Sequence, residues 1–60
     1  MRVYRVEVKD CVDGSVIEHS PLLARRELAE EIEEDFATMY SNELERDEVW
    51  IAIQQEAIVE

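Results

Sequence analysis

The sequence predicts a small α+β domain of element order β-β-α-β: a three-stranded antiparallel sheet, order 2-1-3, with one amphipathic helix packed on one face. Three observations lead there. Apolar and charged residues alternate from Met1 to Asp10, they alternate again from Val49 to Val59, and apolar residues recur at three- and four-residue spacing in between.

In the first segment Tyr4, Val6 and Val8 alternate with Arg5, Glu7 and Lys9, as in a half-buried strand. Asp13-Gly14 reads as a two-residue hairpin turn, because glycine tolerates the positive φ that such a turn needs. A second strand then runs from Ser15 to about His19. With that turn, Val12 faces Ser15, Cys11 faces Val16, and Lys9 faces Glu18 as an opposite-charge pair. The register puts Tyr4, Val6, Val8 and Ile17 on one face and Val3, Cys11 and Val16 on the other.

Ser20-Pro21 has the form of a helix start, a hydroxyl cap followed by proline at the first helical position. The predicted helix runs from about Pro21 to Tyr40, with Leu28, Ala29, Ile32, Phe36, Met39 and Tyr40 on its apolar face. Ser41-Asn42 is its exit. Residues 43–47 are polar and fit either a last helical turn or a loop. From Val49 the alternation puts Val49, Ile51, Ile53, Ala57 and Val59 on one face and Trp50, Ala52 and Ile58 on the other. The segment is one long strand or a strand bent near Gln54-Gln55. Placing it beside the first strand makes every neighbouring pair antiparallel, and residues 1–60 form a single domain.

A chain of 60 residues lies near the lower limit for folding on its own core, and small folds often lean on a staple or a partner. Cys11 is the only cysteine and His19 the only histidine, so neither an internal disulfide nor a closed zinc site is available. Self-association is the remaining common remedy, and a homodimer is the expectation. A lone thiol, no basic-then-apolar leader and no long apolar run together read as cytoplasmic, with no membrane partner.

Charge is the strongest signal. Sixteen acidic against six basic residues give a net charge of −10, while 47% of residues are hydrophobic. That is too apolar for a charge-driven disordered tail. It is also too negative for direct nucleic-acid binding, and it favours a basic protein surface. Glu27, Glu30, Glu31 and Glu34 fall opposite Leu28 and Ile32, with Glu33 and Asp35 at the margins of that stripe. Glu27/Glu31, Glu30/Glu34 and Glu31/Asp35 are like-charged neighbours one turn apart. Arg25 and Arg26 sit near the helix start, where the dipole prefers anions. A merely solvated face does not require this costly layout, which suits a docking surface.

Other motifs carry less. Asp10, Asp13 and Gly14 do not make a calcium loop, because Lys9, Cys11 and Ser20 would occupy ligand positions. Cys11 has no cationic neighbour to activate it and reads as a partly buried small residue. His19 has no triad partners and reads as structural or exposed. A catalytic carboxylate pair needs a desolvated pocket, which one helix on three strands has little volume to form. The expectation is therefore no enzyme, no catalytic residue, no metal and no cofactor.

Carboxylates repeating each helical turn lie roughly 5–6 Å apart, a pitch that can imitate a phosphate backbone to a nucleic-acid-binding protein. Small acidic phage proteins that occupy a nucleic-acid channel are similar in size and charge. No motif carries the similarity further. The first functional expectation is an inhibitor or modulator, of phage or mobile-element origin, docking through Glu27, Glu30, Glu31, Glu34 and Asp35 onto a basic protein. The alternative is a structural or adaptor protein that homodimerises through Val3, Val16, Trp50, Ala52 and Ile58 on the uncovered sheet face. In that case the acid serves solubility or a high-salt cytoplasm. One Lys against five Arg fits salt adaptation, but twelve Glu against four Asp points to helix-compatible acid placement.

Overall fold

The computed structural model describes residues 2–57. Its elements are β1 (Arg2–Asp10), β2 (Val16–His19), α1 (Arg26–Met39), α2 (Ser41–Glu45) and β3 (Val49–Ala57). The strands form one antiparallel sheet in the order β2-β1-β3, the predicted α+β topology. The short helix α2 is an addition, occupying part of the polar stretch that fitted either a helical turn or a loop. Ile58 and Val59, which the alternation adds to the third strand, lie outside the described residues.

The β1–β3 ladder runs unbroken from Arg2 opposite Ala57 to Asp10 opposite Val49, so Gln54 and Gln55 belong to one continuous strand. Opposed residues share a face. Val6 lies opposite Ile53 and Val8 opposite Ile51, and this side carries the core. Val6 and Val8 are fully buried, Ala29, Phe36 and Val49 complete the buried cluster, and Tyr4, Leu23, Ile32, Tyr40, Leu44, Ile51 and Ile53 pack against it.

The hairpin departs from the predicted register. Asp10 N–H donates to Ser15 O at 2.8 Å and Gly14 N–H to Asp10 O at 2.9 Å, so the turn spans Cys11 to Gly14 instead of Asp13-Gly14 alone. Gly14 takes a φ of 76°, which a residue with a Cβ adopts at a cost. Asp10 and Asp13 carboxylates accept from Val12 and Ser15 N–H at 2.7 and 2.8 Å, local bonds that favour the longer turn. An irregularity between Val8 and Lys9 then sets Val8 opposite Glu18 and Lys9 opposite Val16. Lys9 therefore does not face Glu18, and Ile17 leaves the core face for a half-exposed position.

The helix begins at Arg26, five residues after Pro21, because the sheet claims the intervening backbone. Ser20 N–H donates to Val6 O at 2.8 Å, and Tyr4 and Leu23 exchange bonds at 2.8 and 2.7 Å. Ser20 is buried, and its hydroxyl accepts from Val6 N–H at 2.9 Å and donates to Pro21 O at 2.9 Å. The hydroxyl thus serves the sheet edge and does not cap a helix. Arg25 holds the cap position with no side-chain bond. The buried stripe of α1 is also narrower than predicted: Ala29 and Phe36 are buried, whereas Leu28 and Met39 are exposed. α1 packs on β1 and β3, so the flank bearing Leu28 and Met39 has no strand beneath it. Among the described residues, no helix is long and apolar enough to cross a membrane.

Candidate functional site

Helix α1 has 14 residues, with Glu27 the only acid in its first turn and no base in its last. Its dipole is therefore uncompensated at the C-terminal end and opposed by Arg25 and Arg26 at the N-terminal end. The N-terminal groups are poorly satisfied as well, since the bond from Ala29 N–H to Arg25 O is 3.4 Å long. This helix is held by packing more than by its own charge order.

At 100° per residue, Glu30, Glu33 and Glu34 lie on the flank opposite that of Leu28 and Met39. That flank borders β3. Together with Arg26, Glu27, Glu31 and Ile53, these residues line a shallow, open groove of ≈ 640 Å³ along α1, to which the sheet contributes Ile53 alone. Glu27, Glu30, Glu31 and Glu34 are exposed and Glu33 is half-buried. One cation stands among them: Arg26 Nε lies 3.3 Å from Glu30 Oε1, an exposed i,i+4 pair that surface screening makes weak.

Four of the five acids anticipated as a docking stripe thus share one groove. Asp35 is exposed but does not line it, being turned 100° from Glu34 toward the Leu28 side. Glu33, Arg26 and Ile53 are the residues that sequence reading did not assign to the site. Glu33 was visible at the margin of the stripe, but the part played by Ile53 depends on where the helix crosses the sheet.

Beside the groove the sheet ends. β3 is an edge strand, and the parity of its hydrogen bonds follows from one contact. Cys11 N–H donates to Glu48 O at 2.9 Å, so Trp50, Ala52, Gln54 and Glu56 bond inward to β1 in the same register. Val49, Ile51, Ile53 and Gln55 direct their N–H and C=O groups outward. Among the described residues, no backbone partner outside β1 reaches them.

The sheet face away from α1 is less apolar than predicted. Trp50 and Val16 are 44% and 45% exposed, but Val3 is only 8% exposed and offers a partner little surface. Ala52 is half-buried, and Ile58 lies outside the described residues. Lys9 stands opposite both Trp50 and Val16, with its ammonium 5.0 Å from the Trp50 ring centroid and 3.8 Å from the Glu7 carboxylate. Arg5 lies opposite Gln54, with a nitrogen 3.4 Å from Glu56, and its buried Nε has no hydrogen-bond partner among the described residues. The Arg5-Glu7-Lys9 column therefore divides the apolar residues, and they do not form the contiguous patch expected.

Elsewhere, Tyr40 donates its hydroxyl hydrogen bond to Glu18 at 3.0 Å. This bond, with partial burial and the carboxylate charge, raises the Tyr40 pKa. Asp13, fully exposed, is held below the usual carboxylate range by the backbone N–H of Ser15. Cys11 is exposed in the hairpin turn and not partly buried. His19 is exposed, and its Nδ1–H donates to Ser20 O at 2.9 Å. Among the described residues, no group of three or more His, Cys, Asp or Glu side chains is placed to hold a metal ion. Comparison with protein-family models, curated proteins and solved structures returns no match to this chain.

Proposed function

We propose that this protein acts by binding, as an inhibitor or modulator that docks through the acidic flank of α1 onto a basic, nucleic-acid-binding protein. The observation that carries the reading is the groove in which Glu27, Glu30, Glu31, Glu33 and Glu34 converge with a single cation, Arg26. The carboxylates repeat each turn of one helix, so they present negative charge at a pitch comparable to phosphates. Their order lowers the helix's own stability, a cost that a purely solubilising surface need not bear.

The test begins with capture of partners from a bacterial lysate at low salt and identification by mass spectrometry. The dissociation constant of the purified pair is then measured at about 50 and about 500 mM salt, across which surface charge interactions are progressively screened. Weakening of tenfold or more with salt, and a comparable loss in a Glu30→Lys/Glu34→Lys variant, is the expected result. An affinity indifferent to both overturns the reading.

A second reading, homodimerisation through the open sheet face, is favoured by the exposure of Trp50 and Val16. It predicts a dimer in light scattering that Trp50→Lys dissociates while the Glu30→Lys/Glu34→Lys variant leaves it intact.

A further inference from the structure

The two edges of the sheet are unequally protected. An unpaired edge is a template for another strand, and natural sheets blunt it with short strands, bulges, charges or proline. β2 has these features: four residues, an irregular register, Glu18 and His19 within the strand and Pro21 just beyond. β3 has none of them along Val49–Gln55. It is nine residues long, pairs without a break, and carries no charge before Glu56. Its outward N–H and C=O groups stand beside the acidic groove, and Ile53 belongs to both.

We propose that the free edge of β3 is the seam at which the partner docks, by adding an extended basic segment as a fourth strand. This rests on the acidic-docking function and specifies how the partner is held. Side chains of an added strand alternate between the two faces of the sheet. Those on the helix side reach Glu30, Glu33 and Glu34, where Arg or Lys is favoured. Those on the other side lie along Trp50 and Ala52, where apolar residues are favoured. The matching partner segment therefore alternates basic and apolar residues, with main-chain hydrogen bonds giving affinity and the acids giving selectivity. A second copy of this chain is the wrong occupant. Antiparallel pairing of two β3 edges would bring two acidic flanks together on molecules of net charge −10.

The test uses the native protein and a fluorescent extended peptide of alternating Arg and Val, followed by anisotropy at low salt. Two isomers are compared with it, one N-methylated at every Arg amide and one at every Val amide. In a strand, amides of one parity face one edge, so only one isomer loses the bonds to β3. The expected result is a loss of about tenfold or more for one isomer and little change for the other. If both isomers bind like the parent, and salt still abolishes binding, strand addition is overturned while acidic docking stands. No binding of the parent peptide overturns the seam, and the captured partner's salt dependence then judges the function separately. A dimer at low salt that Ile53→Pro dissociates also overturns it, because the edge would then be occupied by a second copy.

Discussion

Glu31→Lys should stabilise this protein and weaken its docking at the same time. Glu31 is exposed and stands one turn from both Glu27 and Asp35, so the substitution turns two repulsive neighbour pairs into attractive ones. Each pair is worth about 0.2–0.5 kcal/mol in either sense, which makes the combined change at least about 1 kcal/mol. The site is mid-helix, beyond the reach of the dipole at either end, and among the described residues Glu31 makes no ion pair that the change would break. For a domain of this size the melting temperature should rise by about 4–8 °C at low ionic strength. The assay is thermal unfolding of both proteins at low salt and again at about 1 M salt, where the screening length falls to about 3 Å and most of the gain should vanish. Binding of the captured partner should weaken several-fold in the same variant at low salt. An unchanged or lower melting temperature at low salt would refute the claim that the acid order costs stability. With it would go the energetic support for regarding the stripe as more than a solvated face, leaving the groove as the remaining one.

Other changes test the local structure. Arg25→Ser supplies the missing cap where the backbone is already extended at φ −130°, ψ 142°, and should add about 1 kcal/mol; Arg25→Ala, as the control, should not match it in thermal unfolding. Ser20→Ala leaves the Val6 N–H without its hydroxyl partner inside the protein and should cost about 1–3 kcal/mol in chemical denaturation. Tyr40→Phe should cost about 1 kcal/mol near neutral pH. Because the Tyr40 pKa is raised on folding, its contribution is complete below the unfolded value near 10 and is lost as pH rises through the folded value. Denaturation across pH 9–12 should therefore show a smaller alkaline loss in the Tyr40→Phe protein than in the native one.

The parts of the fold legible in the sequence are those that depend on period alone. Tyr4-Val6-Val8 and Val49-Ile51-Ile53 declare strands with one buried face, and antiparallel pairing then leaves the third strand only one sensible place beside the first. What escaped depends on competition between partners. Ser20-Pro21 is a sound local helix start, but Val6 and Tyr4 offer the same backbone better bonds along β1. Asp13-Gly14 is a sound two-residue turn, but the Asp10 and Asp13 carboxylates favour a longer one, and the irregularity that follows exchanges Ile17 for Glu18 on the core side. The candidate site divides in the same way. Helical spacing alone gathers Glu27, Glu30, Glu31 and Glu34, whereas the exclusion of Asp35 and the inclusion of Ile53 require knowing which flank lies along β3.

The costly acid order and the bare β3 edge have a common explanation if the first compensates for the second. A nine-residue strand with no charge along Val49–Gln55 should recruit copies of itself, and nothing within the strand prevents this. Repulsion from Glu30, Glu33 and Glu34 on each α1 flank supplies the missing guard, while leaving the seam open to a segment of opposite charge. A guard made of exposed charge has a defined weakness: it is screened by salt, whereas the main-chain bonds of an edge pairing are not. Raising salt from about 50 mM to about 1 M should therefore have opposite effects on the two occupants. Binding of a basic segment should weaken, and the native chain should begin to self-associate in sedimentation or light scattering. Ile53→Pro, which cannot complete the edge ladder, should stay monomeric throughout. Self-association that is strongest at low salt, or that persists in Ile53→Pro, would separate the acids from the edge and leave the charge order of α1 without this explanation.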